Sequence, residues 1–507
     1  MQPDSALAIL EISTEGNTMS QWNTPISLLR EELQQLRDEG VAVPERLRAR
    51  VAALHPAGDA WNEPVVWGLY DELMALPVNE DLAAREPNDL EAIRALRPSG
   101  PRDLHWQPSA AELLDRLHGA WTGRATGCAL GKPVEGMGMG QRDGQLCGRN
   151  DIKKYLQARG DWPLRDYFST RDVGDGMKVW CEASTREKIA YMEPDDDIHY
   201  SLTGLGVIEQ HGPEFTWVNV ADFWMSRIPI SNICTAEAQA ILNFMNRTAR
   251  WGSDGAARSA ATPGFTRRHR NPYREWIGAQ IRSDGWAWCA AGKPELAAEF
   301  AWRDACWTHE RNGIYGEMLF AAIQAAAFVE HDARKLVEIG LSEIPRDCRL
   351  AHIIRATLDL CTTTDWESAM TKVEALCHAH SNAVMSPVHT INNAAVCVVA
   401  LIYGKMDTLD AVTISVAAGL DTDCNGATVG SIVGAAAGKA RFRNDLAGRL
   451  NDTIKPSLIG FEEVTMSELA KRTAIQWQRC QTYWDERHGR VSKTQQAAGA
   501  VVGAAGG

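Results

Sequence analysis

The chain has 507 residues, of which 45% are hydrophobic and 23% charged, the balance of a folded protein with a large core. A net charge of −13 argues against general nucleic-acid binding, yet it leaves room for a nucleotide-like ligand bridged to acidic residues by a cation. No stretch of about 18 uninterrupted apolar residues occurs, so no membrane span is expected.

Residues 1–20 contain acids and lack a basic start followed by an apolar run, so they are expected to be disordered rather than to form a signal peptide. The 12 cysteines are scattered with no Cys-x-x-Cys pair. That usage predicts reduced, mostly buried thiols in a cytoplasmic protein. Between Pro25 and Leu54 two amphipathic helices are expected, separated by Gly40 and Pro44. A further short helical run, DLEAIRALR, completes a helical N-terminal extension over 21–108 that packs on the main body.

From 109 to 487 the chain reads as one long series of helices, and all-α is the expected class. Ser109 is placed to cap the first helix, with an acid in its first turn. The run AVCVVALIY at 395–403 fits a strand or a buried helix equally well. Residues 488–507 end in GAVVGAAGG and are expected to be a tail. The 18 tryptophans are irregularly spaced. Most are expected in the core, and a few near a site could stack on a base.

Three runs carry chemistry. GRATGCALGKPVEGM, residues 123–137, reads as glycine-rich turns around Glu135 that let the backbone approach a ligand. A phosphate-loop reading fails, because Pro133 follows Lys132 where Ser or Thr is required. The second run, MEPDDDIHYSL, places Asp195, Asp196 and Asp197 at the start of a helix, where anions are favoured. In the third, AGLDTDCNGATVGSIVGAAAG, Asp421 and Asp423 alternate as two carboxylates turned to one side of an extended loop. There Gly426, Gly430, Gly434 and Gly438 recur every four residues and predict a flat face for a closely packed neighbour. Adjacent carboxylates repel one another, and a hard divalent cation removes that cost. Seen singly, each run also fits a capped helix or tight packing.

Together the runs resemble the ADP-ribosylglycohydrolase family, over about residues 112–460. GCALGKPVEG is similar to the family's G-D-x-x-G-x-P-x-E run, PDDDIHYSLTGLGVIE to its T-D-D-T helix, and GLDTDCNGATVGSIVGA to its G-G-D-T-D-T segment. NPYREWIGAQIRSDGWAW and ACWTHERNGIYGEMLFAA are similar to two substrate-side runs. The resemblance implies an all-α bundle holding two Mg²⁺ ions about 4 Å apart, with Mn²⁺ as a hard alternative. It assigns Asp195, Asp196, Asp197, Asp421, Asp423 and Glu135 to the metals, and Glu135, Asp196 and Asp421 to the reacting sugar. Gly278, Arg282 and His309 fall on the substrate side, where Arg282 equally suits a structural ion pair and His309 a core position.

The implied reaction is hydrolysis at the anomeric carbon of an ADP-ribosyl group on a modified protein or small molecule. Its water is held at the metal or oriented by Glu135. A glycosidase for a nucleoside-like metabolite and a lapsed ADP-ribose-binding protein are the alternatives. Four departures mark a divergent branch. Pro194 stands for the first threonine, Asp197 for the last threonine of the same run, Cys424 for the threonine after the second aspartate, and Cys128 for the early aspartate. A thiol favours softer ions than Mg²⁺.

Overall fold

The computed structural model describes residues 22–55, 63–247, 261–362, 365–381 and 383–489. The expectations for residues 1–20 and for nearly all of the tail lie outside them. Among the described residues the architecture is all-α. Its strands are two two-residue hairpins, Gln141–Arg142 with Gln145–Leu146 and Thr453–Ile454 with Val464–Thr465.

Helices α1 (Pro25–Asp38), α2 (Glu45–Ala52) and α3 (Glu63–Met74) come first. Gly40, at φ +69, turns the chain between α1 and α2. Leu28, Leu29, Leu36, Leu47, Val66 and Leu69 form a small core shared with Ala236, Tyr273 and Trp276 of the body. Buried ion pairs cross the same boundary. Arg274 lies 2.8 Å from both Glu32 and Glu39, and Arg349 lies 2.7 Å from Glu86. Each of these groups is a charge that needs its partner once it is out of water.

The body is organised by α4 (Ala110–Gly131), which Ser109 caps by accepting from Glu112 N. Helix α5 (Asp196–His211) follows a long connection, and α6 is Thr235–Arg247. Every residue of α7 (Asn312–Ala327) is buried, as expected of a mostly apolar helix in the middle of a large core, and Asn312, Glu317 and Gln324 are buried with it. The ambiguous 395–403 run is helical within α8 (Thr390–Tyr403). Helix α9 (Thr422–Ala437) lies along α4, and α10 (Met466–Arg487) crosses α4, with Trp121 Nε1 donating to Thr473 Oγ1 at 3.1 Å.

The α4–α9 contact fixes the site. Gly119, Gly123 and Gly127 of α4 face Gly434, Gly430 and Gly426 of α9 in antiparallel order. A Cβ on Gly123 would stand 1.9 Å from Gly430 O, and one on Gly127 1.9 Å from Gly426 O. The glycines of GRATGCALGKPVEGM are therefore not turns, as the sequence suggested. They are helical, and Gly123, Gly127 and Gly131 serve backbone contact. The antiparallel order brings the end of α4, and Glu135 just after it, beside the start of α9. There Thr422 Oγ1 donates to Gly131 O at 2.8 Å across 291 positions.

Candidate metal centre

Two helix N-termini and the exit of α4 converge on one acidic cluster. Asp195 is the N-cap of α5 and accepts from Asp197 N at 2.9 Å. Asp421 is the N-cap residue of α9 and makes no side-chain capping bond, while Asp423 lies in its first turn. The Asp-x-Asp pair is thus a helix start, where sequence alone suggested an extended loop. Gly419 and Leu420, at φ +80 and +62, make the turn that delivers it. Oxygens of Glu135, Asp421 and Asp423 lie within 4.8 Å of one another. Both helix dipoles favour negative charge here, but they do not neutralise it.

The surroundings divide the acids into two kinds. Burial would raise the Asp195 carboxyl, but the Lys132 ammonium, 2.9 Å away, holds it below its ordinary value. Lys132 also donates to Pro194 O at 2.5 Å. Asp197 is buried against Arg124, whose Nη2 lies 2.6 Å from its Oδ1 and 2.8 Å from its backbone oxygen. Arg124 also lies 3.0 Å from Asp284. The remaining Asp197 oxygen accepts from Cys424 Sγ at 3.1 Å.

Burial still raises the Asp197 carboxyl well above its ordinary value despite Arg124, and the remaining acids have no cation among their neighbours strong enough to offset their repulsion. Burial, then Asp195 and Asp423, push Asp196 up to about 8. Burial and Asp195 push Asp423 up to about 6. Asp421 and Glu135 are raised well above the carboxylate range by burial and by Asp423. Oδ1 of Asp421 and Oδ1 of Asp423 are buried with no hydrogen-bond partner. A divalent cation meets both conditions at once: it supplies the missing partner and cancels the repulsion. The residues present therefore fit a hard cation.

The three substrate-side residues converge on Glu237 of α6, which sequence reasoning did not single out. Arg282 is buried and binds Glu237, Asp304 at 2.5 Å and Thr308 Oγ1 at 2.9 Å. Gly278 makes room for Glu237, because a Cβ there would stand 2.4 Å from its Oε1. His309 is wholly buried, with Nδ1 2.8 Å from Thr308 Oγ1 and Nε2 3.9 Å from Glu237 Oε1. Burial and Arg282 keep its imidazole neutral. Glu237 in turn contributes to the raised proton affinity of Asp196. Arg282 and His309 are thus buried around Glu237, and Gly278 beside them is partly exposed.

Trp180 lies beside Lys132. Its indole is 57% exposed, against five tryptophans that are fully buried. Its backbone N–H donates to Pro133 O at 3.1 Å, and its ring centroid lies 5.6 Å from Lys132 Nζ. Cys234, the one exposed thiol, lies near Asp196 and Glu237, which contribute to raising it.

The sequence pattern of the family described as ADP-ribosylglycohydrolase matches residues 109–482. A solved structure described as an "ADP-ribosylglycohydrolase-related protein complex" is similar at 16% identity and a TM-score of 0.45, covering 73% of this chain and 99% of that one. No curated protein matches the chain.

Proposed function

Because the chain belongs to the ADP-ribosylglycohydrolase family, we propose that it is a metal-dependent hydrolase that releases ADP-ribose from a modified acceptor by cleaving the bond at the anomeric carbon. The observation that carries this reading is the pair of buried, unpartnered carboxylate oxygens on Asp421 and Asp423, set among Glu135, Asp195 and Asp196. Glu135, Asp421 and Asp423 would hold one cation, and a second would lie beside it against Asp197, with Asp195 and Asp196 adjoining. Bound divalent cations would supply the positive charge that lets these acids ionise together, and positions for ribose hydroxyls.

In the reaction the glycosidic bond breaks with its electron pair leaving on the acceptor atom. Water oxygen bonds to the anomeric carbon and gives up a proton. The cluster's negative charge stabilises the oxocarbenium-like sugar formed in between. Glu135 is half-buried beside Asp421 and Asp423, and we assign it the proton from water. The Trp180 face gives adenine a stacking surface one lysine away from the metal ligands. Twelve free cysteines, with no disulfide among them, suit a reducing compartment, and we assign the protein to the cytoplasm. Among the described residues no helix is long and apolar enough to cross a membrane.

Titration with ADP-ribose by calorimetry, in Mg²⁺ and again in EDTA, tests the reading. Binding in Mg²⁺ alone is expected. Failure to bind ADP-ribose while metal is bound would move the substrate to another ribosyl or glycosyl compound. Glu135→Gln is expected to lower kcat by about 10²–10⁴-fold while ADP-ribose still binds. Full turnover in that variant would remove Glu135 from proton transfer. Trp180→Ala is expected to weaken ADP-ribose by about 1–3 kcal/mol and to leave ribose 5-phosphate unchanged. Equal losses for both ligands would place the indole away from the base.

A further inference from the structure

We propose that the cluster contains two unlike cation positions, one lined only by oxygen and one lined by the Cys424 sulfur, and that the second prefers a borderline ion such as Zn²⁺, Fe²⁺ or Co²⁺ to Mg²⁺. The inference rests on the proposal that the cluster holds divalent cations, and not on the choice of substrate.

The first position is the Glu135, Asp421 and Asp423 set, whose donors are all carboxylate oxygens. The second is formed by an oxygen of Asp197, an oxygen of Asp423 and Cys424 Sγ, all within 4.8 Å of one another and all buried. Asp423 belongs to both sets. Its Oδ1 is buried and has no hydrogen-bond partner, so it is free to serve as a ligand. A further set joins Cys128 Sγ to oxygens of Asp195 and Asp197, so sulfur recurs around Asp197.

Arg124 prepares this second position. Its Nη2 holds Asp197 Oδ1 at 2.6 Å, which leaves Oδ2 facing Cys424 Sγ at 3.1 Å. The guanidinium is fully buried. A cation entering here would form a bond to sulfur, and the Cys424 proton would pass to solvent. Arg124 would then share the compensation of the thiolate charge. Mg²⁺ gains little from sulfur, whereas Zn²⁺, Fe²⁺ and Co²⁺ accept mixed oxygen and sulfur donors. If Cys424 only donated a hydrogen bond to Asp197, a serine would serve as well, and that difference makes the two accounts separable.

The test is cobalt loading of the full chain, with bound metal measured independently of the spectrum. The expected result is a thiolate-to-cobalt charge-transfer band in the near ultraviolet. Cys424→Ser should abolish it, although serine can still donate to Asp197. Cys234→Ser should keep it, which excludes the exposed thiol as its source. The serine variant should also lose at least about tenfold in its preference for Co²⁺ over Mg²⁺, since even outer-shell changes cost 10–100-fold in metal affinity. Bound cobalt without the band, or a band that survives Cys424→Ser, would overturn the inference while leaving the metal site standing. A chain that takes up no divalent cation at all would overturn the metal reading itself. If Cys424→Ser does not fold, Cys128→Ser decides: a band that survives it leaves Cys424 as the source, and a band lost with it, or absent from the unaltered chain, overturns the inference.

Discussion

Asp195 caps α5 and pairs with Lys132, whereas Asp423 keeps a buried oxygen with no partner. The two should therefore respond differently to substitution. Asp195→Ala removes a cap and leaves Lys132 without its carboxylate, so thermal stability is expected to fall with and without metal. Asp423→Asn removes one charge from a repelling set. Its midpoint should rise in EDTA and no longer respond to added divalent cation, and a variant still stabilised by cation would show that Asp423 is no ligand. The same repulsion sets a pH dependence. Asp423 and Asp196 are raised from 3.8 to about 6 and about 8, so in chelator the folded state holds protons that the unfolded chain has released. Apo stability is then greatest at low pH within this window and declines as pH rises from about 4 toward 8. Bound cation should flatten that slope. The acidic runs were legible because each is local. Lys132, Arg124 and Glu237 were not, because each acquires its meaning from a partner 63, 73 or 45 positions away.

At the scale of helices, the α4–α9 seam does the positioning. Gly123→Ala would set a methyl 1.9 Å from Gly430 O, a backbone atom that cannot swing aside. The helices would have to separate, at a cost of about 1–3 kcal/mol or more. Because Glu135 and Asp423 ride on opposite members of the pair, the variant should also lose part of its cation-dependent rise in melting temperature. A normal metal response with lowered stability would show that the seam holds the fold but not the site. Half of this contact could be read in advance, since the four-residue glycine period in α9 predicted a flat face. Its partner has the same period at Gly119, Gly123, Gly127 and Gly131, but Lys132 and Pro133 follow so closely that the run resembles loop chemistry. Period alone does not distinguish a glycine that turns the chain from one that admits a neighbour.

Across the whole molecule, the N-terminal helices are tied to the body by charges that neither side can expose cheaply. Arg274 is fully buried, and its Glu32 and Glu39 partners come from α1 and the residue that caps its end. Arg311 and Arg349 take Glu39 and Glu86 in the same way. Removal of residues 1–97 would take Glu32, Glu39 and Glu86 away from these guanidiniums and leave Arg349 with Glu275 and Arg274 with Glu310, a loss of about 3–5 kcal/mol for each broken buried pair. The truncated chain is expected to be insoluble or to lack a cooperative thermal transition. A soluble, cooperatively melting product would mark the segment as separable. The sequence suggested packing on the body but gave no sign of how, because Arg274, Arg311 and Arg349 look like ordinary surface arginines until the fold brings three acids to them.

The 291 positions between Gly131 and Thr422 also order events in time. Closing so long a loop requires most of the polypeptide to exist first, although its entropic cost grows only slowly with length. While the protein is being made, Glu135 leaves the ribosome long before Asp421 and Asp423, so a nascent chain has no complete cation cage until its last quarter has emerged. Metal would then act as a late fastener that fixes a finished topology rather than as a nucleus for folding. Refolding should begin at the same rate with or without divalent cation, and only its final step should depend on the ion.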